Sequence, residues 1–120
     1  MANRIRVSYF LPITHANDQI AHLRTLDYLR SPRPSAEAHL SVTGFTLSSV
    51  DPPAFRGVYW SDERRVWLED SISILFVDLP TSEAVRERAA AMKTTIAQFY
   101  AEEGSAQEEM WCTLEGIEAV

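Results

Sequence analysis

The chain has 120 residues, of which 46% are hydrophobic and 23% are charged, and its formal net charge is −6. This composition predicts a single globular domain over residues 1–120, and it excludes disordered and collagen-like chains. Because a surface that binds nucleic acid needs many basic side chains, and the densest basic run is only Arg64-Arg65, we expect no nucleic-acid partner.

The chain begins with one predicted strand and one predicted helix. Apolar and polar side chains alternate over residues 4–13, which is typical of a strand, and Pro12 closes it. Asn17 or Asp18 can cap a helix, which ends at the proline-rich segment 31–35. The apolar positions that carry its helical spacing are Ile20, Leu23, Leu26 and Leu29.

The middle of the chain predicts a broken strand and a hairpin that leads into a long strand. The break is Asp51-Pro52-Pro53, and since proline donates no backbone hydrogen bond, this strand belongs at a sheet edge or carries a bulge. The long strand covers residues 66–79, and its even positions are the more apolar ones, so we expect them to face the core. These even positions are Val66, Leu68, Ile72, Ile74 and Phe76.

The last part of the chain predicts a helix and a final strand. Thr81 or Ser82 can cap the helix, and residues 109–114 alternate as a strand. The apolar helix positions, spaced by three or four, are Val85, Ala89, Met92, Ile96 and Phe99. The order βαββαβ predicts an α+β fold, a ferredoxin-like sandwich in which two helices cover one face of a four-stranded antiparallel sheet.

This arrangement leaves one face of the sheet without helices. With the more apolar parity assigned to the helix side, the open face is predicted to carry Phe10, Leu75, Val77 and Trp111. Exposed apolar patches of this kind mark subunit interfaces or ligand grooves. The sequence therefore predicts a homodimer that packs through this face or encloses a cavity there.

Several short segments resemble a sequence pattern of a group of small uncharacterised bacterial proteins. The segments are YFLPI at 9–13, TGFT at 43–46, GVYW at 57–60, the strand that contains Asp70, and QEEMW at 107–111. The resemblance implies a ferredoxin-like fold. It brings no established activity and no catalytic residues to carry over.

Asp70 and His15 are the candidates for proton transfer. Asp70 interrupts the apolar parity of the long strand, and a buried carboxylate beside a pocket can act as a general base. The alternative is a strand entry or bulge, in which Asp70 accepts hydrogen bonds from backbone amides. His15 follows the first strand, at an edge where a cleft can open, and is a secondary acid or base candidate.

Two further aromatic residues have two interpretations. Tyr59 and Trp60 lie near the hairpin, where they either pack at the sheet edge or wall an apolar ligand site.

No metal site is predicted, because His15 and His22 are two helical turns apart and Cys112 lies on the core parity. We expect no cofactor, since the chain lacks a glycine-rich phosphate loop.

The expected location is the cytoplasm of a bacterial cell. Cys112 is the only cysteine, no segment approaches the run of about 20 apolar residues that spans a bilayer, and the N-terminal segment lacks a signal-peptide pattern.

The leading hypothesis is a homodimeric module that binds a small apolar or aromatic molecule, or a protein partner, at the open sheet face. The alternative is an enzyme of the dimeric α+β barrel type, an isomerase or cofactor-independent oxygenase that uses Asp70 or His15.

Overall fold

The computed structural model describes residues 4–30, 44–105 and 110–118. Its elements in chain order are β1 (Arg4–Pro12), α1 (Ala16–Arg30), β2 (Phe45–Leu47), β3 (Phe55–Ser61), β4 (Val66–Pro80), α2 (Val85–Glu102) and β5 (Cys112–Ile117). The α+β class is confirmed. The proline-rich segment 31–35 and most of the QEEMW segment lie outside the described residues. No helix in the described ranges is long and apolar enough to cross a membrane.

The sheet has five strands where the sequence predicts four. The predicted broken strand is two strands, because the turn at Asp51-Pro52-Pro53 separates β2 from β3 and its prolines cannot donate to a ladder. β2 pairs with residues 75–77 of β4, whereas β3 pairs with residues 66–72. The two short strands therefore lie end to end along one edge of β4.

All strand pairs are antiparallel, and β1 lies between β4 and β5. β1 reaches β4 only from Ile72 to Pro80. The earlier part of β4 pairs with β3 alone, so these two segments extend from the sheet as a two-stranded ribbon, which we call the β3–β4 ribbon (residues 55–61 and 66–71). The ribbon positions the site described below.

The core lies between one face of the sheet and both helices. The predicted inner face of α2 is confirmed at four positions, and Tyr100 takes the place expected for Phe99. Two tyrosine hydroxyls in the core donate to backbone carbonyls, Tyr9 to Ala89 and Tyr100 to Pro12, each at 2.9 Å. Both polar groups are satisfied although they are buried, which is the usual condition for a tyrosine in a core.

The predicted assignment of the two sheet faces is wrong for β4. Leu75 and Val77 are 0% exposed and lie in the core, not on the open face. Directly opposed residues project to the same side of a sheet, and the register sets Tyr9 opposite Leu75 and Val7 opposite Val77. The even positions, which include Ile72, Ile74 and Phe76, therefore lie with Phe10 on the helix-free face. Both sets of alternating side chains in β4 contain several apolar residues, so the apolar pattern does not show which set faces the core.

The predicted inner face of α1 also needs correction. Ile20 and Leu23 are exposed. The buried side carries Leu29, as predicted, and otherwise small and polar residues, namely Asp18, Ala21, His22 and Thr25. Small side chains let a helix approach its neighbours closely, and the Thr25 hydroxyl is satisfied because it donates to the Ala21 carbonyl at 2.9 Å.

Candidate functional site

An apolar pocket of about 380 Å³ lies on the helix-free face of the sheet. We call it the open-face pocket. It is lined by Phe10, Gly57, Val58, Tyr59, Ile72, Trp111 and Thr113. Three of these residues, Phe10, Tyr59 and Trp111, are aromatic residues that the sequence singles out, and the structure brings them together.

Three parts of the fold build this pocket. Phe10 is near the end of β1, and its backbone N–H donates to the Trp111 carbonyl at 3.1 Å, which holds the start of β5 against β1. Ile72 lies at the junction between the ribbon and the rest of β4, and Tyr59 belongs to β3. Trp111 remains 61% exposed, so a large apolar surface is open to solvent beside the cavity.

Gly57 shapes the floor of the pocket. A Cβ atom at this position would lie 2.3 Å from Cδ1 of Ile72, which is too close for two carbon atoms. The missing side chain therefore lets Ile72 pack directly against the β3 backbone. A glycine inside a strand often marks such a close approach, and this is the signal by which Gly57 could have been found in the sequence.

A second cavity, of about 360 Å³, lies beside the first and has a polar lining. We call it the polar cleft. It is lined by His15, Asp18, Tyr59, Glu63, Arg64, Leu68, Glu69, Asp70, Gly104 and Ser105. The structure thus places both proton-transfer candidates, Asp70 and His15, on one cavity. Tyr59 lines both cavities and joins them.

Asp70 is half-buried and hydrogen-bonded on both oxygens. The Tyr59 hydroxyl donates to Oδ2 at 3.0 Å, and the Thr14 hydroxyl donates to Oδ1 at 3.2 Å. The Thr14 oxygen in turn accepts the Ser71 N–H at 2.8 Å. These partners are hydroxyl groups rather than the backbone amides of the alternative interpretation. They fix the carboxylate at the boundary between the two cavities.

Asp18 closes the far side of the polar cleft. Its side chain is buried and accepts hydrogen bonds from the His15 backbone N–H, at 3.0 Å, and from the Ser105 hydroxyl. Asp18 lies in the first turn of α1 and caps the helix by accepting the N–H of His15, the residue before it. The helix therefore begins earlier than the predicted cap at Asn17 or Asp18. The His15 side chain is exposed and borders the cleft.

The polar cleft is acidic. Its charged side chains are four carboxylates, Asp18, Glu63, Glu69 and Asp70, against the single guanidinium of Arg64. Within the described ranges, no three His, Cys, Asp or Glu side chains are arranged to hold a metal ion. The cleft therefore presents a negative field without the ligand geometry of a metal centre.

Two other predicted positions lie away from both cavities. Trp60 packs edge to face on Trp67, with ring centroids 5.6 Å apart, on the other face of the ribbon. Cys112 is half-buried opposite Tyr9, and burial raises the pKa of its thiol. A thiol of raised pKa is a poor nucleophile, which agrees with the predicted structural role.

The sequence matches no family model and no curated protein. Among solved structures, CutA1 from Oryza sativa is similar at 13% identity with a TM-score of 0.52, over 99% of this chain and 84% of that one. A Bacillus cereus protein related to NIF3 is similar at 12% identity with a TM-score of 0.47, over 98% of this chain and 26% of that one. The likeness to the Oryza sativa protein shows that this chain has a ferredoxin-like α+β fold.

Proposed function

We propose that this protein binds a small apolar or aromatic molecule in the open-face pocket. The observation that supports this function is a cavity of about 380 Å³ between Phe10, Tyr59 and Trp111. Small-molecule sites are concave, mostly apolar and commonly about 300–1,000 Å³ in volume. A flat aromatic ligand in this cavity would remove part of the exposed Trp111 ring from water, at a gain of about 25 cal/mol for each Å² of apolar surface.

Gly57→Ala is expected to weaken binding of 2-phenylethanol, a neutral aromatic probe, by about tenfold. The new methyl group forces the Ile72 side chain, which lines the pocket, to shift, and the loss of room for one carbon atom has an effect of this size. The measurement is an NMR titration of the tryptophan indole N–H signals. Thermal melting checks that the variant folds.

Gly44→Ala is the matched control, because a Cβ atom at that position meets no atom within 4 Å. This variant should bind the probe as the wild type does. If the folded Gly57→Ala protein binds the probe with unchanged affinity, the pocket is not the binding site.

We also propose that two copies associate through the same face. Phe55 and Trp111 are large, exposed and apolar, and both lie on the helix-free side of the sheet. Trp111→Glu is expected to convert a dimer into a monomer in native mass spectrometry, because the interface would then bury an unpaired carboxylate.

Trp67→Glu controls for the loss of an exposed tryptophan. Trp67 is 67% exposed but lies on the other face of the ribbon, so this variant should remain dimeric. A monomeric wild type, or a Trp111→Glu protein that stays dimeric, would refute association through this face.

Proton transfer by Asp70 or His15 is the second candidate function, because both residues line the polar cleft beside the pocket. An isomerase or oxygenase changes its ligand, whereas a binding module returns it unaltered. The NMR signals of the ligand itself distinguish the two functions, since only an enzyme replaces them with the signals of a product.

A further inference from the structure

The open-face pocket and the polar cleft meet at Tyr59. This residue lines both cavities, and its hydroxyl donates to Oδ2 of Asp70 at 3.0 Å. Tyr59, an aromatic residue of the pocket wall, is therefore hydrogen-bonded directly to the carboxylate of Asp70. A molecule whose ring fills the pocket would bring any substituent on its Tyr59 side towards Asp70.

Asp70 has acceptor capacity left for such a substituent. A carboxylate offers about four lone-pair positions, and the two hydroxyl donors, Thr14 and Tyr59, occupy one on each oxygen. Because both donors are neutral, they orient the carboxylate without neutralising its charge. A half-buried anion without a cationic partner in these bonds favours a ligand that carries a positive charge.

The surroundings favour a cation over an anion. The cleft carries three more carboxylates, Asp18, Glu63 and Glu69, and one guanidinium, Arg64. The hydrogen-bonded carboxylate of Asp70 and the acidic lining of the cleft thus favour the same ligand charge.

We infer that the ligand of the open-face pocket is an aromatic cation, with its ring among Phe10, Tyr59 and Trp111 and its ammonium group on Asp70. This inference rests on the proposed function and adds the chemical class of the ligand. It also gives the pair Tyr59 and Asp70 a role beyond joining β3 to β4. The pair is the point at which the pocket distinguishes the charge of its ligand.

Three probes with one phenyl ring and different charges test the inference. They are 2-phenylethanol, which is neutral, 2-phenylethylamine, which is a cation at about pH 7.5, and 3-phenylpropionate, which is an anion. In NMR titrations the wild-type protein should bind the amine about tenfold more tightly than the alcohol, and the anion more weakly than either.

Asp70→Asn keeps a carbonyl oxygen for hydrogen bonding and removes the charge. The preference for the amine over the alcohol should fall to less than about twofold. Glu83→Gln is the matched control. Glu83 is an exposed carboxylate beyond the opposite end of β4, so this variant should keep the full preference.

The outcomes separate the two proposals. If none of the probes binds, the proposed function fails, and the inference fails with it. If the alcohol binds but the amine binds no more tightly, the pocket is a ligand site and the aromatic cation is wrong. If the Asp70→Asn protein keeps the tenfold preference, Asp70 does not hold the charge and the inference is overturned.

Discussion

Leu75→Ala is expected to lower the free energy of unfolding by about 2–5 kcal/mol. Leu75 is 0% exposed and belongs to the core, so truncation removes buried apolar surface and leaves a cavity. Chemical denaturation at equilibrium measures this loss. The substitution tests which face of β4 packs under the helices.

Ile74→Ala is the matched control on the other face of the same strand. Ile74 is half-buried and pairs with Phe10 on the helix-free side. We expect this variant to lose less than about half as much stability, because its surroundings can relax into open space. A larger loss for Ile74→Ala than for Leu75→Ala would mean that the two faces of β4 are reversed.

Stability is also expected to fall as the pH drops below about 6.5. His22 is buried, burial lowers its pKa, and its Nε2 atom has no hydrogen-bond partner among the described residues. In the unfolded chain the imidazole binds a proton at a higher pH than in the folded one. Acid therefore favours unfolding, by up to about 1.4 kcal/mol per pH unit between the two pKa values.

Denaturation of wild type and His22→Gln at several pH values between about 7.5 and 5.5 measures this effect. The wild-type free energy of unfolding should decrease more steeply over this range than that of the variant. His15→Gln, which removes an exposed histidine, is the control for the substitution itself. Parallel curves for wild type and His22→Gln would show that His22 does not contribute.

The fold class could be predicted from the sequence because most elements carry one clear signal. α2 buries Val85, Ala89, Met92 and Ile96, and a single apolar stripe at helical spacing has one interpretation. β4 has no such contrast, since Leu75 and Val77 alternate with Ile74 and Phe76. Pattern cannot choose between two apolar faces, so only the packing of β1 and α2 decides which one is buried.

The candidate site was predicted in part. Apolar alternation predicts Phe10 and Trp111 on the open sheet face, and Tyr59 is predicted near the hairpin, where packing at the sheet edge is the alternative to a ligand site. The apolar pattern predicts a core position for Ile72, which instead lines the pocket, and Gly57 is marked only by being a glycine inside a strand. The joining of Asp70 to Tyr59 depends on the β3–β4 register, which brings Gly57 opposite Asp70 and which no local pattern specifies.

The central claim is that the open-face pocket binds a small aromatic molecule, and the location of binding tests it most directly. The chain has three tryptophans, so its indole N–H signals in a proton–nitrogen NMR spectrum are few and can be assigned with single Trp→Phe variants. On titration with 2-phenylethanol, the Trp111 signal should move and saturate, while the Trp67 signal on the other face of the ribbon stays in place. A titration without a saturable shift, or one in which Trp67 moves and Trp111 does not, would contradict the claim.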